Sequence, residues 1–586
     1  MVAIDKEIAK LESSENPSIV QNLKSRRNVL STICRLPVEV LANIFMDCNT
    51  DIPTFVDGNR AKGIVTLFRL ARVCRHWRTV ALDTPELWSR PDYSSGTPLA
   101  RIMLSRSKDA PLVVDAEFGS GTRGVVFETL KHIARTTVLH ITATDDRAGL
   151  QQLVHELVQP APFLHTLGLG LDQVRAWDAL LSPSELHLPH TFLGNHAPRL
   201  RNLLLRWCCI PLDSPLLRNL TRLSLISPSL PSSSATHFLE GLREMSHLEV
   251  LEVRNPFRET PPATTAPPIR AFTMPALRYL RLDEVDSSGA VFLLGHISLP
   301  ISTVLTVNSR LPSADWLEKS NTFVSCLSRV FSAKANPTLA PDDSIRSMYI
   351  GPMFEVFGWT FDTLSLENPY TRHDLTGKAP PHLRVHVALT TTLDLVGDGI
   401  NPLRGLVSAL PSLNNLRALH VLVPETHTST LVPTSTGSTS RGVYPSVEDF
   451  TACFGALPNL QIVKLKGELA PLLMTALGPA FHALHTLELK SVIQSRAIPQ
   501  VGGRIADILA DVAVSRGKIG VGMLRQLKLT QCESISNRDV ERIKEVVAEV
   551  DWDGRVQEEC DFDLQVDDTS VSSLPSSLYR PSIVCQ

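Results

Sequence analysis

Pro198-Arg199-Leu200-Arg201-Asn202-Leu203-Leu204-Leu205 carries leucines at the spacing L-x-x-L-x-L, with a proline two residues ahead of the first. Side chains alternate along a strand, so Leu203 and Leu205 share one face. The pattern returns at Leu164/Leu167/Leu169, Leu220/Leu223/Leu225, Leu248/Leu251/Val253, Leu277/Leu280/Leu282 and Ile345/Met348/Ile350. It returns again at Leu416/Leu419/Val421, Leu460/Val463/Leu465, Leu484/Leu487/Leu489 and Leu524/Leu527/Leu529, and Pro162, Pro275 and Pro458 repeat the leading proline. One copy arises easily in a leucine-rich chain. Ten copies, four with the same proline, mark an internal repeat.

Helical patterns lie between the strand-like cores. Leu150, Leu153, Val154 and Leu157 have i, i+3, i+4, i+7 spacing, as do Ile505, Ile508, Leu509 and Val512. Val447, Phe450, Phe454 and Leu457 follow Ser446, which with Asp449 resembles a capping box. Strand alternating with helix predicts right-handed βα units that cannot cover their own apolar faces and must stack. Each repeat buries three leucine-type side chains at ~1.5–3 kcal/mol apiece, which makes stacking cooperative. The stretches Pro256–Pro268 and Thr426–Arg441 read as inserted loops. Val540, Ile543, Val547 and Val550 predict a last helix, opened by Asn537, that covers the final repeat. Acidic residues follow, and then a Ser/Pro tail, Thr569–Gln586, expected to be disordered.

Composition bounds the function classes. Of 586 residues 43% are apolar and 20% charged, which excludes a mostly disordered chain. Lys+Arg 57 against Asp+Glu 60 leaves −3, which argues against a globally basic binder of nucleic acid or membrane surfaces. The ten cysteines are scattered without a CxxC pair, as expected in a reducing compartment. The charged start lacks the apolar run of a secretory signal, and Ser287–Ser309 reads as a short helix followed by a strand. A soluble protein of cytoplasm or nucleus is the expectation, with the sequon Asn219-Leu220-Thr221 a chance match.

The first ninety residues differ in texture. Ile4, Ile8, Leu11, Ile19, Leu23 and Leu30, broken at Pro17, predict two short amphipathic helices. Leu36-Pro37 starts another helix, with Val38, Leu41, Ile44 and Phe45 on one face. A single helix from about Ile64 to Ala81 is predicted next, with Leu67, Leu70, Ala71, Cys74, Trp77 and Ala81 as its apolar stripe. Arg69, Arg72, Arg75 and Arg78 on the other face read as a solvated side, with no interleaved aromatics to suggest nucleic acid. Pro85 and Leu87-Trp88 close the block.

The run Leu36-Pro37-Val38-Glu39-Val40-Leu41-Ala42-Asn43-Ile44-Phe45, followed by Arg72-Val73-Cys74-Arg75-His76-Trp77-Arg78 and the ending Thr84 to Ser89, resembles the F-box. The spacer between Phe45 and Val73 is longer than the usual gap of that family. The resemblance implies docking to the Skp-type adaptor of a cullin–RING ubiquitin ligase through an exposed apolar surface. Carried over by position, Leu36, Pro37, Leu41, Ile44, Phe45, Val73 and Trp77 would meet the adaptor or support the meeting surface. For Trp77, packing in its own core and contact with the partner are both open. An F-box followed by leucine-rich repeats resembles many fungal F-box proteins.

Catalytic motifs are broken where they occur. His155-Glu156-Leu157-Val158-Gln159 has glutamine where a second zinc ligand would stand, and Glu549–Gly554 lacks both calcium-loop ends, with Cys560 in the twelfth position. His187, His190 and His196 have no neighbouring cysteines and read as loop histidines, Gly517-Lys518 lacks the rest of a P-loop, and Cys208-Cys209 read as packed small hydrophobes. No catalytic residue, cofactor or metal is expected.

The expected fold class is α/β: a small all-α F-box module, then a leucine-rich-repeat-like α/β solenoid, or horseshoe. The expected organisation is amphipathic helices over 1–30, the F-box over 31–90, the solenoid over 98–550 and the tail over 569–586. The expected function is a non-catalytic substrate-recognition subunit of an SCF-type ligase, whose solenoid binds an unknown target protein. The alternative is a scaffold that recruits the adaptor without ubiquitination.

Overall fold

The computed structural model describes residues 2–11, 17–48, 62–143, 146–171, 186–226, 235–254, 271–300, 303–311, 322, 324–330, 345–351, 355–359, 383–389, 402–410, 413–422, 447–467, 470–478, 480–492, 505–519, 523–532 and 535–554. Pro256–Pro268, Thr426–Arg441, Ser446 with its capping box, Cys560 and Thr569–Gln586 lie outside the described residues.

The chain opens with two helices, α1 (Val2–Leu11) and α2 (Pro17–Val29), on either side of the break expected at Pro17. Ile8 and Leu23 are buried, and the Arg27 guanidinium lies 2.5 Å from the Asp5 carboxylate. Then come α3 (Val38–Cys48), α4 (Lys62–Val73), α5 (Arg75–Asp83) and a 3-10 turn over Pro85–Trp88. The single helix expected from Ile64 to Ala81 is therefore two. Cys74 stands between them in extended backbone (φ −158°, ψ 172°), and its thiol accepts the Trp77 N–H at 3.5 Å. The apolar period continues through the break, so periodicity alone cannot reveal it. The four arginines are accordingly divided between two helices.

Helix α6 (Thr97–Arg106) leads into the remainder, where, among the described residues, a sixteen-stranded sheet dominates. Its strands are β1 (Leu112–Phe118), β2 (Thr136–Ala143), β3 (Thr166–Leu171), β4 (Asn202–Arg206), β5 (Arg222–Ile226), β6 (Val250–Arg254), β7 (Tyr279–Asp286) and β8 (Val304–Leu311). They continue as β9 (Ser347–Gly351), β10 (Glu355–Trp359), β11 (Leu383–Leu389), β12 (Ala418–Leu422), β13 (Ile462–Lys466), β14 (Thr486–Lys490), β15 (Gln526–Thr530) and β16 (Glu549–Trp552). Neighbours pair in chain order and in parallel, except at one place. There β8 is followed by β11, β10 and β9 before β12, and β10 runs antiparallel to both its neighbours. Uniform βα succession fails at that hairpin.

All ten L-x-x-L-x-L copies lie at strands of this sheet. The first leucine of the copies at Leu164, Leu200 and Leu277 closes a turn, with N–H to carbonyl bonds of 3.2, 3.0 and 3.1 Å to Ala161, Ala197 and Met274. Pro162, Pro198 and Pro275 occupy the second position of those turns, where a φ near −65° is already required. The other two apolar residues of each copy point inward, as in the alternating burial of Ile462–Lys466. Neighbouring repeats are stitched at the strand entry: the Gln461 carbonyl accepts both His485 and Thr486 N–H at 3.0 Å, and the His485 carbonyl accepts Arg525 and Gln526.

The last helix covers Asn537–Lys544 only. Ser536, not Asn537, is its cap, in a reciprocal capping box with Asp539. Val550 lies in β16, not in this helix, and pairs in register with Leu527. The expected terminal cover is thus a helix followed by one more parallel strand.

Candidate protein-docking face

The helical module has a compact core of Leu41, Phe45, Leu67, Val80, Ala81, Leu87 and Trp88, joined by Met103 from α6. On α3, Leu41 and Phe45 are four apart and share the inward face. The Pro37 carbonyl accepts the Leu41 N–H at 3.1 Å, so the proline precedes the first helical turn without forfeiting a bond. Trp88 is buried with its indole N–H donating to the Ala81 carbonyl at 2.8 Å, and the Arg106 guanidinium sits 4.5 Å above its ring. These contacts fix the module to α6.

Trp77 is half-buried, its ring 5.0 Å from that of Phe45 at 55°. Its indole N–H, buried, has no hydrogen-bond partner among the described residues. Burial raises the Cys74 thiol above its ordinary value, with Cys34 nearby adding to the rise, so Cys74 caps α5 as a neutral thiol.

Of the seven residues singled out from the sequence, Leu41 and Phe45 are core, Trp77 packs on that core, and Leu36 and Ile44 are half-buried. Pro37 is exposed and Val73 is 57% exposed. Pro37, Val40 and Ile44, at i, i+3 and i+7, form a second apolar strip of the segment entering α3, one residue out of phase with the Leu41–Phe45 strip.

Four further apolar side chains of the module are exposed: Ile33, Val38, Val40 and Phe68. Ile19, Val29 and Leu30 just before it are exposed too, so among the described residues eight of the thirteen exposed large hydrophobics fall between residues 19 and 73. Exposed apolar side chains this frequent in one stretch of chain make the module a candidate docking face, since single exposed residues are otherwise scattered. Sequence reasoning placed Val38 on the packed face and passed over Val40. The available signal was the surplus of apolar residues on α3, more than one packed face can hold.

The F-box-like family model matches residues 33–94. The chain carries an F-box-like domain. The match begins at Ile33, spans α3, α4, α5 and the Pro85–Trp88 turn, and ends before α6. F-box domains in general bind Skp-type adaptors in cullin–RING ligases. No curated protein matches the chain.

Elsewhere, His187 is exposed in a two-residue strand, and the ring of His190 lies 3.9 Å from the Asp213 carboxylate, both side chains in solvent. Among the described residues no group of three His, Cys, Asp or Glu side chains could hold a metal ion, and no helix is long and apolar enough to cross a membrane. Cys208 is buried, its thiol pushed well up by burial and then by Cys209.

Proposed function

We propose that this chain is a substrate-recognition subunit of an SCF-type cullin–RING ubiquitin ligase. The observation carrying the reading is the F-box-like match at residues 33–94 on a module whose apolar residues exceed its core. The strip of Pro37, Val40 and Ile44, together with the exposed Val73 on α4 and with Leu41, Phe45 and Trp77 in or against the core, meets the Skp-type adaptor. A module this small completes its apolar burial with a partner helix.

The region that follows is a leucine-rich-repeat-like solenoid that holds a target protein destined for degradation. What supports this reading is the ten-fold L-x-x-L-x-L pattern, the recurrent proline turn and the stitched parallel strands. Its part in the reaction is positioning: holding target and ubiquitin-charged enzyme together raises their effective concentration. The chain itself performs no bond chemistry and works in cytoplasm or nucleus, where such ligases act. Its docking surfaces take protein, not nucleic acid or membrane.

Co-purification of the adaptor tests the first half. The wild-type chain retains it, and Leu36→Asp with Pro37→Ala loses it; retention by the double variant overturns the docking reading. Target turnover that the same double variant leaves unchanged, despite lost adaptor, favours a scaffold that recruits without ubiquitination.

A further inference from the structure

On β13 and β14 the residues alternating with the core leucines are Lys464, Lys466, Glu488 and Lys490. Lys464 lies opposite Glu488 in register, and their charged groups meet at 2.7 Å. One step further along the same strands, Lys466 lies opposite Lys490. Like charges placed directly opposite across a ladder are destabilising. Both lysines are half-buried, and neither has a hydrogen bond or ion pair among the described residues. The adjoining positions offer no carboxylate: Lys466 is flanked on β12 by Leu422, and Lys490 on β15 by Thr530.

His420, in register with Lys464 on β12, reports the same field. Its affinity for a proton is pushed down to about 4, first by burial and then by Lys464, Lys466 and Lys490. Lys528 on β15 differs, having Asp551 of β16 beside it in register. Among the described residues, the positive charge without a counter-charge is therefore localised at Lys466 and Lys490, at the ends of their strands.

The strands β13 to β16 are parallel, so the end of β16 leaves the sheet at the same rim as Lys466 and Lys490. The Asp553 N–H donates to the Leu529 carbonyl at 3.2 Å, and its carboxylate accepts the Gln531 N–H at 2.8 Å, which anchors that exit. Beyond it the sequence from Glu558 to Asp568 holds six carboxylates and no lysine or arginine. Three strand spacings of ~4.8 Å separate β16 from β13, about 14 Å, which an extended chain covers in roughly four or five residues. Glu558, Glu559, Asp561 and Asp563 begin at that reach.

We propose that the acidic segment Glu558–Asp568 docks in cis on the Lys466–Lys490 pair and neutralises it. A nucleic acid is disfavoured as the occupant, since two unpaired lysines cannot follow a run of phosphates. A target lying on this face must displace the segment, and that consequence alone rests on the target-binding proposal.

Zero-length carbodiimide cross-linking of the purified full chain, read by mass spectrometry, tests the contact without adaptor or target present. The expected result is monomer in which Lys466 or Lys490 is joined to Glu558, Glu559, Asp561 or Asp563, beside the Lys464–Glu488 link that reports an intact sheet. The Lys464–Glu488 link without any link to the segment overturns the proposal. So do links spread evenly over Lys518 and Lys544, and links found only in covalent dimers, which would make a second copy the occupant. In parallel, Glu558→Gln, Glu559→Gln, Asp561→Asn and Asp563→Asn together raise acylation of Lys466 several-fold, and unchanged acylation contradicts the contact. Either failure leaves adaptor docking untouched.

Discussion

The rings of Phe45 and Trp77 lie 5.0 Å apart, inclined by 55°, and this pair joins α3 to α5 across the broken helix. Phe45 is fully buried and Trp77 covers it from the half-exposed side. Phe45→Ala is expected to destabilise the module by about 3–5 kcal/mol. Trp77→Phe keeps most of the contact and releases a buried, unpaired N–H, so its effect stays within about 1 kcal/mol. Hydrogen exchange over α3 and α5 separates the two: protection collapses in the first variant and persists in the second.

Two glycines predict opposite signs. Gly467, directly after β13, has φ +102°, a conformation alanine rarely adopts, and Gly467→Ala should cost about 1–2 kcal/mol. Gly517 lies in the helix Ile505–Ile519 with open space where a Cβ would stand, so Gly517→Ala should stabilise by about 0.5–1 kcal/mol. Urea midpoints of the two variants against wild type give the comparison.

Arg516 in that helix is fully buried, and its guanidinium donates to the carbonyls of Leu477, Ala480, Phe481 and Leu484 at 2.9–3.2 Å. It ties one repeat's turn to the next helix. Arg516→Met leaves several buried carbonyls unpaired and should destabilise by about 3 kcal/mol or more. Arg516→Lys restores the charge without the planar fork and recovers only part of that loss. Thermal unfolding of both variants is the check.

His420 links stability to pH. Its proton affinity in the folded chain, about 4, lies below the ordinary 6.5, so the unfolded chain binds more protons between those values. The contribution is fully present above pH 6.5 and is lost as pH falls toward 4, on the order of 3 kcal/mol in all. His420→Gln should flatten that part of the stability profile; an unaltered acid limb would show that other groups control it.

The repeats were legible because L-x-x-L-x-L combines a turn with strand alternation at fixed spacing. Strand β8 was legible in Ser287–Ser309 as the strand after a short helix, whereas β1, β2, β10 and β11 escaped because they use Val, Ala, Phe and Thr instead, as in Leu112–Phe118, whose burial alternates without the leucine signature. The break at Cys74 left no Gly or Pro, only an extended cap, and Val550 kept helical spacing while entering a strand. In the candidate docking face, the residue types were visible from the family pattern. Their division into Leu41 and Phe45 inside, Pro37 and Val73 outside, depends on which helices pack against which, and no local pattern carries that.

Calorimetric titration of the purified chain with a Skp-type adaptor bears most directly on the central proposal, using Val40→Asp with Val73→Asp. Both side chains are exposed, 43% and 57%, so the double variant keeps its fold by circular dichroism. Wild type is predicted to bind and the variant to weaken by roughly 30-fold or more, the loss of about 2 kcal/mol expected for charges placed in an apolar interface. A wild-type chain that does not bind, or a folded variant of unchanged affinity, would contradict the account.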